Sequence, residues 1–144
     1  GPLRPHLEAQ IVRLGIGHAV TLLGQRNDVP RLLRALDLFI MSSSEEGLGT
    51  SVLDAMACGV PVVATDAGGI PEMVRDGETG LLVQARNSAD LADAVVRATN
   101  DAQLREGLAG AALALVNDAF SADSMVSGNL AVYEELLSGS TGKK

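Results

Sequence analysis

The sequence predicts an α/β fold, a parallel sheet with helices on its flanks. Three observations carry that reading. Apolar runs of strand length alternate with segments of helical period between residues 7 and 83. Residues 60–64, VPVVA, form a largely β-branched apolar run, the mark of a strand buried on both faces. From residue 91 onward the period stays helical. Strands joined through helices pair in parallel, because the crossover returns the chain to the same end of the sheet.

Each element has its own signal. Leu7, Ile11 and Leu14 lie at helical spacing, so residues 7–14 are expected as a helix, ended by Gly15 and Gly17. Residues 19–23 are a short apolar run closed by Gly24, a strand candidate. Residues 29–36 form a second helix with Pro30 in its first turn. Residues 38–41 read as a strand, followed by a loop beginning with Ser42, Ser43 and Ser44. Residues 50–58 read as a helix stopped by Gly59. The strand at 60–64 comes next, then a short helix opened by Pro71 with Gly77 beyond its end, then a strand at 80–83. Leu91, Ala94, Val95 and Ala98 begin the helical tail of the fold, and Leu104, Leu108, Ala111, Leu115 and Phe120 continue it. Ser121 is a cap for a last helix to about residue 137. Residues 1–137 are therefore expected as one domain, and residues 138–144 as a disordered polar tail.

Composition narrows the function classes. The chain has 144 residues, of which 47% are hydrophobic and 2% aromatic, so its core is aliphatic. Its net charge of -7 argues against a nucleic-acid partner. No apolar run approaches the roughly 20 residues of a membrane helix. No basic-plus-apolar leader is visible at the start, and Gly1-Pro2 resembles a cleavage scar. Cys58 is the single cysteine, so no internal disulfide forms, and a cytoplasmic setting is expected. His6 and His18 lack partners at ligand spacing, so no metal is expected. The serines at 42–44 have no nearby histidine and read as a turn, Cys58 reads as packed, and Glu134 and Glu135 as solvated.

The chemistry concentrates in EEGLGTSVLDAMACGVPVVATDAGG. It follows the strand at 38–41, at the carboxyl end where ligands of parallel sheets sit. Gly47 and Gly49 allow close backbone approach. The N–H groups around Gly49, Thr50 and Ser51 lie at the positive start of a helix, which suits a phosphate. Glu46 and Asp54 would repel a phosphate, but carboxylates accept hydrogen bonds from sugar hydroxyls. A nucleotide-sugar, with phosphates between two sugars, satisfies both demands. Spacing alone also permits a simple helix cap and a solvated acid pair.

Taken whole, SSSEEGLGTSVLDAMACGVPVVATDAGGIPEMVRDGETGLLV resembles the donor-binding half of the retaining GT-B glycosyltransferases of group 1 (family 4 type). The shared pattern is Glu46-Gly47, an acid eight positions on at Asp54, Ala55-Met56-Ala57, Gly59-Val60-Pro61-Val62-Val63, and Gly68-Gly69-Ile70-Pro71-Glu72. The resemblance implies a Rossmann-like parallel sheet, of strand order 3-2-1-4-5-6 in full, here lacking its first two strands. It implies that Glu46, Gly47 and Leu48 hold the transferred sugar, that Gly49, Thr50 and Ser51 meet the diphosphate, and that Asp54 binds the ribose. Gly24, Gln25 and Arg26 match the loop at the base. Glu72 is divided between a local cap and a site role.

Two departures accompany the match. Asp54 stands where the family usually has Glu, and the family's Gly-Arg and Lys segment on the diphosphate has no counterpart here. The acceptor-binding N-terminal half is also outside this chain. The implied activity is transfer of a sugar, with retention, from a nucleoside diphosphate sugar, without a metal or other cofactor, the chain alone being inactive. The alternatives are a non-catalytic sugar-nucleotide binding module and a GT-B nucleotide-sugar epimerase. With two strands missing, residues 19–23 are expected either to move in beside residues 38–41 or to leave an edge through which two chains dimerise.

Overall fold

The computed structural model describes residues 1–139. Three parallel strands, β1 (Phe39–Met41), β2 (Val62–Asp66) and β3 (Leu81–Gln84), form one sheet in the order β1-β2-β3. Phe39 aligns with Val62, and Val63 with Leu81. The α/β class and the parallel pairing are as the sequence indicated.

The central strand explains the layers. On β2, Val62 and Ala64 face one way and Val63 the other, the period of a pleated strand. The first side is covered by α3 (Thr50–Ala57) and the short α4 (Ile70–Met73), whose Val52, Met56, Ile70 and Met73 are buried. The second side is covered by α5 (Ser88–Asn100), which packs Ala98 with Val63 and Leu81. A long helix, α6 (Ala102–Ala119), joins both layers through Ala112 on the first and Leu108 on the second. Ahead of the sheet lie α1 (Arg4–Leu14) and α2 (Val29–Leu33), and α7 (Ala122–Gly139) closes the described chain. Among the described residues no helix is long and apolar enough to cross a membrane.

Several boundaries differ from the sequence reading, each for a local reason. The second strand begins at Val62 rather than 60, because the Val60 N–H is committed to the Ala55 carbonyl at 3.0 Å. With the Gly59 N–H on the Met56 carbonyl and Gly59 at φ 70°, this is a Schellman close to α3. The third strand starts at Leu81, since Gly80 belongs to the preceding turn: its carbonyl accepts the Gly77 N–H at 2.9 Å and it bridges to Asp76. Helix α2 stops at Leu33, with Ala35 and Leu36 closing three-residue turns. Ser121 does cap α7, accepting the Ser124 N–H at 3.1 Å. That helix runs through Ser138 to Gly139, inside the segment expected as a tail; residues 140–144 lie outside the described residues.

One element is corrected. Residues 19–23 form no strand and pair with no described strand. Val20 is 37% exposed and Leu23 56%. An apolar run becomes a strand only when a neighbour completes its backbone hydrogen bonds. Among the described residues no strand lies beside it; the Ala19 N–H donates to the Ile16 carbonyl and the Leu22 carbonyl accepts from Arg4 instead, and the run does not move in beside β1. The outer edge of β1, with Ile40 44% exposed, is open among the described residues.

Candidate functional site

The loop from Ser42 to Gly49 crosses the carboxyl ends of the strands and is fixed at three points. The first is Thr65, the buried polar residue near the end of β2, whose hydroxyl lies 2.6 Å from the Ser43 carbonyl oxygen and 3.2 Å from that of Met41. The second is Ser43, which donates its hydroxyl to Glu46 Oε2 at 3.1 Å. That contact orients a half-buried carboxylate. The third is the Gly68-Gly69 pair at the start of α4. The Gly69 N–H donates to the Gly47 carbonyl at 3.0 Å.

Close packing here requires glycine. Gly68 has φ 54°, and a Cβ on it would lie 1.7 Å from the Glu46 carbonyl oxygen. Gly49 has φ 66°, with Ile70 Cγ1 and Met73 Cε each 3.1 Å from where its Cβ would be. The turn therefore rests on the α4 start, backbone against backbone. Gly49 occupies the N-cap position of α3 without a side-chain cap, so the helix start at Thr50 and Ser51 faces outward with its N–H groups uncovered by a side chain. This is what a site built for an external anion requires.

Asp54 lies one turn along α3 from Thr50, exposed, and its carboxylate makes no hydrogen bond or ion pair among the described residues. Glu46, Gly47, Leu48, Gly49, Thr50, Ser51 and Asp54 thus form one continuous feature. Gly24, Gln25 and Arg26 are exposed and no hydrogen bond joins them to it. Gly24 instead borders a groove of about 480 Å³ against the start of α1, beside Leu3, Arg4 and Leu7. Arg26 is occupied by Asp28 through two contacts of 2.8 and 2.6 Å. The guanidinium holds the Asp28 carboxyl below the usual carboxylate range. Cys58 is half-buried against the α3 core.

Two contributors escaped the sequence reading. Ser43, expected as a turn residue, sits three before Glu46 and bonds its carboxylate. Thr65 lies just beyond the strand expected at 60–64; the structure extends that strand to Asp66, and this places the Thr65 hydroxyl under the loop.

Residues 1–101 match the family described as glycosyl transferases group 1. The chain is 34% identical over 129 residues to the N-acetyl-alpha-D-glucosaminyl L-malate synthase of Bacillus anthracis, covering 89% of this chain and 34% of that protein. It superimposes on Anabaena Alr3699/HepE, solved with UDP and with UDP-glucose; against the UDP complex the TM-score is 0.82 and the identity 36%, over 93% of this chain and 36% of the other. A C-terminal domain of the group 1 protein LpcC from Francisella tularensis gives a TM-score of 0.74 at 31% identity, over 84% of this chain and 64% of that one. The chain spans about a third of the length of the curated relatives it matches. With its turn, acids and glycine pair in the order of that family, the chain belongs to the group 1 glycosyltransferases.

Proposed function

We propose that this chain is the donor-binding part of an enzyme that moves a sugar, with retention, from a nucleoside diphosphate sugar to an acceptor. The observation that carries the reading is the α3 start: an uncapped helix terminus presented by a glycine turn, with an oriented carboxylate on one side and a free one on the other. The diphosphate meets the N–H groups of Gly49, Thr50 and Ser51. Glu46, aimed by Ser43, accepts hydrogen bonds from the transferred sugar beside Gly47 and Leu48. Asp54 accepts from the ribose. The base lies toward Gly24, Gln25 and Arg26, and its contacts there are to backbone, since the Arg26 side chain is engaged by Asp28. HepE, solved with UDP-glucose, supports this class of donor.

Chemically the turn positions the donor and stabilises the departing diphosphate, and no step requires a nucleophile from the residues named. The chain by itself is expected to be inactive, because the first relatives are roughly two and a half times as long and an acceptor site would come from the remainder.

The roles of the two acids separate in kinetics. In the full-length enzyme Glu46→Ala should reduce turnover roughly ten- to a hundredfold, the worth of a charged hydrogen bond, while leaving affinity for free UDP nearly intact. Equal losses of turnover and UDP affinity would remove Glu46 from the sugar subsite.

A further inference from the structure

On the α5 side of the strand ends lies a second, partly open concavity. Ser42 leaves β1, Thr65 stands near the end of β2, and Arg86, Asn87 and Ser88 join β3 to α5, with Leu91 as the floor; its volume is about 170 Å³. Successive residues of an extended segment face opposite ways. Ser43 accordingly turns to Glu46, while Ser42 lines this cavity.

Arg86 has φ 63° and is the one non-glycine with positive φ among the described residues. That conformation is disfavoured for an L side chain, and such strain gathers where a site fixes the backbone. It returns the guanidinium over the strand ends, where Nη2 lies 3.4 Å from Glu45 Oε1, 41 residues away in the chain. Their side chains are 74% and 87% exposed, so this single long contact is weakly held and open to exchange. The hydroxyls of Ser42 and Ser88 make no hydrogen bond among the described residues. Those of the other polar groups are committed: Thr65 to the β1 loop, and Asn87 to Asp90, which it both caps and bonds.

The geometry points to a second binding site, for a phosphate group, in which Arg86 supplies the charge and Ser42 and Ser88 the flanking donors. An arriving phosphate replaces Glu45 on Arg86. Asp90 stays with Asn87, and Asp66, the next residue after Thr65 on β2, points to the opposite side of the pleated strand from Thr65. The cavity has the space of about five or six waters at roughly 30 Å³ each, enough for one phosphate. The inference rests on the donor-binding reading, which places this cavity beside the donor turn, across the Ser42–Glu45 loop. The phosphate belongs either to a phosphorylated acceptor or to the donor itself.

The test is an amide NMR titration of this chain with glycerol 3-phosphate and, separately, with UDP. Glycerol 3-phosphate should shift Ser42 and Arg86 to Ser88, which assigns the phosphate to an acceptor-type monoester; shifts there with UDP alone assign it to the donor. Arg86→Gly adopts the left-handed conformation more readily, so the variant should unfold no earlier than the parent chain, yet bind the phosphate about ten- to a hundredfold more weakly. Ser42→Ala, remote from the strained backbone, should weaken it severalfold. If neither probe moves Arg86 to Ser88, or if both variants bind as the parent does, the site does not exist. UDP shifts at Gly47 to Ser51 are read independently, so the donor reading stands or falls apart from this result.

Discussion

Gly68→Ala places one methyl group against the backbone of the donor turn. Its Cβ would lie 1.7 Å from the Glu46 carbonyl oxygen, 2.7 Å from the carbonyl carbon and 3.1 Å from the Gly47 carbonyl oxygen. Every one of these atoms is main chain, so no side chain can rotate away, and the loop must retreat by more than 1 Å. Two costs add. Holding alanine at φ 54° costs about 1–2 kcal/mol, and forcing the extra methyl into packed backbone about 1–3 kcal/mol. A loss of roughly 2–5 kcal/mol leaves a domain of ordinary stability folded but weakened. The functional loss should be larger than the stability loss suggests, because displacement of a positioned group by about 1 Å can cost on the order of a hundredfold. Gly59→Ala is the control. Gly59 has φ 70° and nothing within 4 Å of its Cβ position, so it carries the conformational cost alone. Urea unfolding and UDP calorimetry on the two variants should show Gly68→Ala less stable than Gly59→Ala and defective in UDP binding, with Gly59→Ala binding normally. Equal unfolding midpoints and equal UDP affinities would refute the packing of the glycine pair on the turn.

Other substitutions probe the same construction. Thr65→Val removes the hydroxyl beside the Ser43 and Met41 carbonyls; with part-buried acceptors left unmatched, urea unfolding should show a loss of about 1 kcal/mol. Asp54→Ala should weaken UDP in calorimetry by about tenfold, whereas Asp54→Glu, one methylene longer, should bind at least as well as the parent chain. Arg26→Gln removes the guanidinium that lowers the Asp28 carboxyl, so its pKa should rise toward the ordinary carboxylate range. A depressed folded pKa favours the folded state above the unfolded pKa, and that contribution disappears as pH falls through the folded value. NMR titration of Asp28 in the parent and variant chains checks the direction.

The sequence made the order of helices and strands legible because the middle strand is apolar on both faces and its neighbours are separated by helical spacing. The turn was legible for a similar reason: Glu46, Gly47, Gly49 and Asp54 lie within nine consecutive residues, so a local reading brings them together. Residues 19–23 were misleading because apolarity states what a segment can bury and says nothing about whether a partner strand exists. The Val60 boundary was hidden because Gly59 signals a helix end without revealing that the Schellman bonds consume the next residue's N–H. Gly68 and Gly69 were visible as glycines, but what they touch, the Glu46 and Gly47 carbonyls some twenty residues earlier, is a tertiary fact. Thr65 and Arg86 depend in the same way on distant contacts: one reaches Ser43, the other Glu45.

An amide map of UDP bound to this chain tests the donor turn most directly. The largest shifts should fall on the N–H groups of Gly47 to Ser51, with a smaller set near Asp54, and they should vanish in Gly68→Ala. Saturable UDP binding whose shifts avoid Gly47 to Ser51 would contradict the donor-turn reading.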